Sequence, residues 1–171
     1  MTLEILNAKQ VPLKVADVRA IVEIEAHPKT RKWLIEYAED DIEKELKAYK
    51  KFFRNLPKNK KADILVAKQN GRVVGFLGLW RLGKYMEHVA SIGVSVHPDD
   101  WGKGVATELV NKAVELAKEK GFKRLEIETL SDNMAMRHIA EKLGFKLESL
   151  RKSRIQKDGK YHDEADYFIL V

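Results

Sequence analysis

The chain has 171 residues, 44% apolar and 34% charged, with 32 basic against 26 acidic side chains and a net charge of +6; that suits one domain spanning 1–171 with a core of its own. The absence of cysteine excludes a disulfide framework, a thiolate zinc site and a cysteine nucleophile. No apolar run nears the ~20 residues of a membrane-spanning helix, and the first ten residues lack a basic segment leading into an apolar one, so a cytoplasmic location is expected.

Leu3 to Leu6 reads as a short first strand. From Leu13 to Ala26 the spacing of Val15, Val18, Ile21, Val22 and Ile24 predicts a helix, stopped near Pro28. Trp33 and Tyr37 stand four apart on a predicted helical turn, where they either pack in the core or line a pocket for a cation. Asp40 or Asp41 can cap a second long helix, whose Ile42, Leu46, Tyr49 and Phe53 form one stripe. Seven basic residues and no acid lie between Lys47 and Lys61. This run is either a solvated helix end or a patch for a polyanion.

A strand-rich block follows. Ile64 to Ala67 and Val73 to Trp80 flank Asn70-Gly71, a pair that suits a tight hairpin because both positions tolerate positive φ. Val89 to Val96 is a further strand. A helix from Lys103 to Lys120 ends at Gly121. A strand from Leu125 to Thr129 and a helix from Asp132 to Leu143 come next. Phe145 to Ile155 and Tyr161 to Val171 are two final strands around Lys157-Asp158-Gly159. The alternation predicts an α/β fold with a mixed central sheet of about seven strands and about four flanking helices.

The most informative segment runs from Val94 to Thr107, where a strand enters a glycine-rich turn that opens a helix. The first amides of a helix lack internal acceptors, and its dipole puts partial positive charge there, so such a corner binds phosphate. Gly102 and Gly104 let backbone approach an anion, Ala106 keeps the next turn small, and Lys103 adds charge. The segment lacks the Gly-Lys-Ser/Thr ending of a nucleotide-hydrolase loop and the third glycine of a dinucleotide fingerprint. A glycine-softened turn with no ligand is the plain alternative.

Trp101-Gly-Lys-Gly-Val-Ala106 resembles the pyrophosphate signature of the GNAT acyltransferase superfamily, Gln/Arg-x-x-Gly-x-Gly/Ala, and it follows a strand ending in Val-His-Pro as it does there. Asn133 with Glu141-Lys-Leu-Gly-Phe145 is similar to that family's second motif at the usual spacing. The resemblance implies a GNAT-like fold and transfer of an acetyl group from acetyl-CoA, as co-substrate, to an amine. It implies that Gly102, Lys103, Gly104, Val105, Ala106 and Thr107 hold the pyrophosphate through backbone N–H groups. It further implies that Val94, Ser95 and Val96 pair with the pantetheine arm, and that Asn133, with His138 nearby, meets its end. Trp101, in place of Gln or Arg, resembles the ribosomal-protein-alanine N-acetyltransferase type, as does the pattern from Phe145 to Arg151 and from Lys157 to Tyr161. Members are often dimers, so a homodimer is admitted.

Amine attack on a thioester needs a neutral amine. Neutralising a lysine-like amine at pH 7 costs about 4–5 kcal/mol, whereas leaving a thiolate unprotonated costs only about 2 kcal/mol. A base therefore matters more than an acid. Many members carry a Tyr acid seven residues after the Asn, where this chain has Ala140. A Glu common in the strand before the glycine turn is also missing, with Ala90 and Ser91 in that region. Glu128 is the base expected here. Leu125 and Ile127 face one way, and Glu126 and Glu128 the other, so the two acids either raise each other's pKa or pair with nearby Lys or Arg. Some peptide N-terminal acetyltransferases of the superfamily have a Glu at the position of Glu128. His88 is the alternative base. His27 and His162 have no supporting context, and the five histidines show no metal-site spacing, so no metal is expected.

The acceptor is expected between the segment around Trp33 and Tyr37 and the last hairpin, with Tyr85 and Tyr161 as further lining residues. It would be a peptide N-terminus or a small amine. A CoA-binding sensor or interaction module without turnover is the alternative, and nucleic-acid binding through residues 47–61 ranks last.

Overall fold

Asn70 and Gly71 adopt φ of 51° and 76°, the left-handed pair of a two-residue hairpin whose twist matches that of its strands. The computed structural model describes residues 2–36 and 40–171. Its strands are β1 (Leu3–Asn7), β2 (Ala62–Gln69), β3 (Arg72–Arg81), β4 (Val89–Val96), β5 (Arg124–Leu130), β6 (Lys146–Lys157) and β7 (Lys160–Leu170). They form one sheet in the order β1-β2-β3-β4-β5-β7-β6. The helices are α1 (Val15–Ala26), α2 (Pro28–Arg31), α3 (Ile42–Asn55), α4 (Val105–Glu119) and α5 (Met134–Lys142).

Helix α1 ends at Ala26, short of Pro28 as the sequence predicts, and Pro28 also opens a second, short helix that the sequence reading did not have. It is the first residue of α2, and the His27 ring accepts the Lys29 N–H at 3.2 Å. Proline needs no acceptor at the first turn, but it forces the residue before it out of helical backbone, so α1 and α2 separate at His27. Trp33 consequently sits in a turn after α2, half-buried, with the Lys32 ammonium 4.6 Å from its ring centre; Tyr37 lies outside the described residues. Asp41 caps α3, its Oδ1 accepting the N–H groups of Glu43 and Lys44 at 3.0 and 3.2 Å. Within the α3 stripe, Leu46 is buried and Tyr49 and Phe53 are partly so, while Ile42 is exposed.

Each face of the sheet has its own core. Leu109, Val110, Ala113 and Ala117 of α4 pack over Leu65, Leu77, Leu79, Ile92, Leu125 and Ile127. Ile21 and Ile24 of α1, with Leu56, pack over Ile64, Val66, Val73 and Phe76 on the opposite face, and α3 lies against α1. Only β4 and β5 run parallel, and their ladder is short: Val89↔Arg124, Ala90↔Leu125 and Ser91↔Glu126. Beyond Ser91, β4 stays paired with β3 as far as Val96, and β5 with β7 as far as Leu130. The two strands therefore diverge, opening a wedge in mid-sheet at which the glycine turn and the edge of β4 meet.

Candidate active site

The corner after β4 is built by backbone conformation. A single 3₁₀ turn, Pro98–Asp100, leads to Gly102 and Gly104 with φ of 73° and 82°, and Gly104 is the N-cap of α4. Positive φ at both positions is what glycine alone adopts without penalty. The first helical bond runs from the Glu108 N–H to the Gly104 carbonyl at 3.0 Å. Among the described residues, no turn, loop or cap hydrogen bond uses the N–H groups of Gly102, Lys103, Gly104, Val105, Ala106 or Thr107. Nothing lies within 4 Å of where a side chain at Gly102 or Gly104 would begin. The result is an open cradle of unpaired donors at the positive end of a fifteen-residue helix, which fits a pyrophosphate.

Gly75 lets the helix come this close. A side chain there would meet the Ser95 carbonyl at 3.0 Å and Val105 Cγ1 at 3.2 Å. Val105 is buried, with Ala106 and Thr107 half-buried behind it. Trp101 is a clip: its indole N–H donates to the Val96 carbonyl at 2.8 Å while the ring stays 44% exposed. That bond occupies the Val96 carbonyl. Ser95 and Val96 are buried and Val94 is half-buried, and past Ser91 the β5-facing edge of this strand has no ladder partner.

Asp100 braces the turn, a role the sequence reading missed. It is 1% exposed and accepts Arg72 Nη2 at 2.9 Å and Lys103 Nζ at 3.0 Å. Lys103 is thus committed to the protein and not a loose charge. Two adjacent acids before the turn were the signal, but only tertiary packing tells the buried Asp100 from the exposed Asp99. Burial is the largest single influence on the Asp100 carboxyl and raises it; the hydrogen bonds and positive charges of Lys103 and Arg72 together outweigh burial, leaving it below its ordinary value. A lowered carboxyl stabilises the fold above its unfolded pKa, and the contribution is lost as pH falls through the folded value. Asp100→Asn is expected to cost about 2 kcal/mol through two weakened charged hydrogen bonds. The thermal midpoint should then fall by about 4–8 °C at pH 7, and the deficit should shrink in acid; scanning calorimetry at pH 7 and pH 3 checks both.

The second motif is structurally engaged. Asn133 caps α5, its Oδ1 accepting the Met136 N–H at 3.2 Å, and its Nδ2 donates to Thr129 Oγ1 at 3.2 Å. This fastens α5 to β5 beside the wedge. His138 is exposed on α5, and Ala140 is fully buried. The Tyr167 hydroxyl is held on the same helix, accepting from Arg137 Nε at 2.9 Å and donating to Glu141 Oε1 at 2.7 Å.

On the other face of β5 the acids gather. Leu125, Ile127, Ala165 and Tyr167 belong to the core under α4 and α5, so Glu126, Glu128, Glu164 and Asp166 share the α1 side. The two possibilities for the glutamates divide between them: Glu126 pairs with Arg124 at 2.6 Å, whereas Glu128 is exposed and stands directly across from Asp166. Burial raises the Glu128 carboxyl above its usual range, and the charges of Asp166, Glu126 and Glu36 add to this against the opposing pull of Arg151. Arg151 binds Asp166 at 2.7 Å and Glu164 at 3.2 Å. Asp166 and Glu164 are both buried, and the Glu164 carboxyl is also raised, first by burial and then by Asp166 and Glu128.

A lysine from the far end of the chain closes this side. The Lys157 ammonium donates to the carbonyls of Arg31, Lys32 and Leu34 at 2.5, 3.0 and 2.8 Å. The tip of the β6–β7 hairpin thereby holds the segment carrying Trp33 and Glu36, joining the two regions in which the acceptor is expected. Tyr85 and Tyr161 are 87% and 69% exposed. His88 precedes β4, at the opposite end of that strand from the glycine turn, and is exposed. Among the described residues there is no group of three or more His, Cys, Asp or Glu that could hold a metal, and no helix long and apolar enough to cross a membrane.

Residues 11–146 match the family model described as an acetyltransferase (GNAT) domain. The chain is 25% identical over 147 residues to a protein of Bacillus subtilis (strain 168) named as a candidate ribosomal protein bS18-alanine N-acetyltransferase, covering 86% of each chain. It is 33% identical over 84 residues to the L-amino acid N-acyltransferase MnaT of Escherichia coli (strain K12), covering 48% of this chain and 49% of that one. The fold is similar to that of a GNAT superfamily phosphinothricin acetyltransferase from Sinorhizobium meliloti in complex with AcCoA, with a TM-score of 0.79 and 19% identity over 100% of this chain and 89% of that one. With the glycine cradle, the divergent β4–β5 pair and a family match over most of its length, the chain belongs to the GNAT acetyltransferases, whose co-substrate is acetyl-CoA.

Proposed function

We propose that the protein N-acetylates a primary amine, a protein N-terminus or a small amine, by direct attack in a ternary complex, with Glu128 as general base. The observation that carries this reading is the position of Glu128. It lies on β5 past the point where β4 leaves, and it is reachable from solvent, set among acids that raise its carboxyl. Bound acetyl-CoA supplies an acetyl group activated as a thioester. The amides of Gly102 to Thr107 would hold its pyrophosphate, the backbone of Val94, Ser95 and Val96 its pantetheine arm, and Asn133 and His138 would border that arm from α5. Because Trp101 takes the Val96 carbonyl, the strand would pair through its remaining edge groups.

Glu128 accepts a proton from the incoming ammonium, freeing the nitrogen lone pair. The nitrogen then bonds to the acetyl carbon, and CoA leaves as the thiol. A carboxyl raised toward neutrality narrows the pKa gap to the amine, which suits a base. The negative charges of Glu36, Glu128, Glu164 and Asp166 exceed those of the neighbouring arginines and favour a cationic acceptor over a neutral one. The wall held by Lys157 would seat the acceptor's chain.

Incubation with acetyl-CoA and a panel of amines and N-terminal peptides, following free thiol, tests the reading. Thiol release with at least one cationic acceptor is expected. Tight CoA binding with no turnover across the panel would instead favour a binding module.

A further inference from the structure

The opposite end of the sheet carries a second charged surface that acetyl transfer does not use. Lys60 and Lys61 precede β2, Arg81 ends β3, Lys84 lies in the 3₁₀ turn Lys84–Met86, and Lys123 precedes β5. Backbone bonds draw them together: the Arg81 N–H donates to the Lys61 carbonyl and the Lys123 N–H to the His88 carbonyl, both at 2.8 Å. Lys60, Lys61, Arg81 and Lys84 line one open cavity of about 550 Å³, in which Glu87 is the only acid.

Some lysines and arginines sit on carboxylates: Lys68 on Asp17 at 2.8 Å, Arg72 on Asp100 at 2.9 Å and Lys120 on Asp63 at 3.0 Å. Among the described residues, Lys60, Lys61, Lys84 and Lys123 form no ion pair. The Arg81 guanidinium is oriented over the Phe122 ring at 4.3 Å and donates to the Glu87 carbonyl. Four cations facing one carboxylate, that of Glu87, leave an excess of positive charge, and a bound polyanion relieves the repulsion among them. The cavity is not the pyrophosphate site, because the length of β4 separates it from the glycine turn by roughly 23 Å.

An aromatic ring decides between kinds of polyanion. Tyr85 is 87% exposed beside the cavity, with Lys84 Nζ 5.5 Å from its ring centre, and neighbouring Met86 is 51% exposed. An acidic peptide would use the cations and have no need of the ring. A nucleic-acid strand uses both, its phosphates meeting the cations and an unstacked base lying on the aromatic face. We propose that this end of the sheet binds single-stranded nucleic acid, with a phosphate among Lys60, Lys61, Arg81 and Lys84 and a base stacked on Tyr85.

The test is fluorescence anisotropy of the full chain with labelled 20-nucleotide single-stranded RNA and DNA. Engagement of four cations gives a log–log salt slope of about −3, so binding should weaken roughly 50-fold between 50 and 200 mM salt. Lys60→Glu/Lys61→Glu/Lys84→Glu should lose at least tenfold in affinity. Tyr85→Ala should lose five- to a hundredfold, with CoA affinity and thermal midpoint unchanged in both variants. Reversal of Lys47, Lys50 and Lys51 on α3 serves as the charge control and should change binding by less than half as much on a logarithmic scale. The proposal is overturned if no strand binds, or if the α3 control loses as much as the cavity variant. It is also overturned if poly-glutamate competes as well per charge, or if Tyr85→Ala binds like the parent.

Discussion

Gly104→Val is expected to weaken CoA binding at least tenfold, read as the dissociation constant in a calorimetric titration. Space inside the protein is not the obstacle, since nothing lies within 4 Å of the new side chain's first atom. The obstacle is the backbone. Gly104 holds φ of 82°, where an L-residue pays about 1–2 kcal/mol and a β-branched one is a genuine outlier. Relaxing that strain rotates the peptide planes and turns amide donors away from the cradle. If the strain is tolerated, the branched side chain occupies the room the anion needs. Gly121→Val is the matched control, because Gly121 holds φ of 78° with equally open surroundings at the far end of α4. It should lose comparable stability and retain CoA affinity. An unchanged dissociation constant for Gly104→Val would remove the pyrophosphate from this corner.

Glu128→Gln is expected to lower turnover by about 10²–10⁴-fold, the usual contribution of a positioned base, while CoA affinity stays within about twofold. The pH dependence follows from the raised carboxyl. A base works ionised, so kcat/KM should climb as pH rises through a value above the ordinary carboxylate range and then level. Asp166→Asn removes a neighbouring negative charge that helps raise Glu128. The ascending limb should therefore move to lower pH. Stability runs the other way: a carboxyl raised by folding favours the fold below its unfolded pKa and loses that contribution as pH rises through the folded value. Glu128→Gln should consequently be no less stable than the parent at pH 7. Identical rates for the two proteins from pH 6 to 9 would take Glu128 out of the mechanism.

Local chemistry made much of the scaffold legible. The Asn70-Gly71 hairpin, the Asp41 cap, the limits of β4 and the glycine turn each depend on residues within a few positions of one another. What depends on distant pairing was not readable. The wedge exists because the β4–β5 ladder stops at Ser91↔Glu126, a register between segments thirty-five residues apart. Asp100 ties the turn to the sheet because Arg72 reaches it from β3. The basic run also divides in space: Lys47, Lys50, Lys51 and Arg54 stay on α3, while Lys60 and Lys61 join Arg81 and Lys84. At the candidate site, alternation along β5 placed Glu126 and Glu128 on one face. It could not show that Arg124 would take one and leave the other.

Lys157 ties residues 31, 32 and 34 to a hairpin that follows them by more than 120 positions. The donor corner, by contrast, is built where β4 turns into α4 and, among the described residues, takes no bond from that hairpin. Loss of the Lys157 ammonium would therefore free the rim carrying Trp33 and Glu36 and leave the backbone of the glycine turn unaltered.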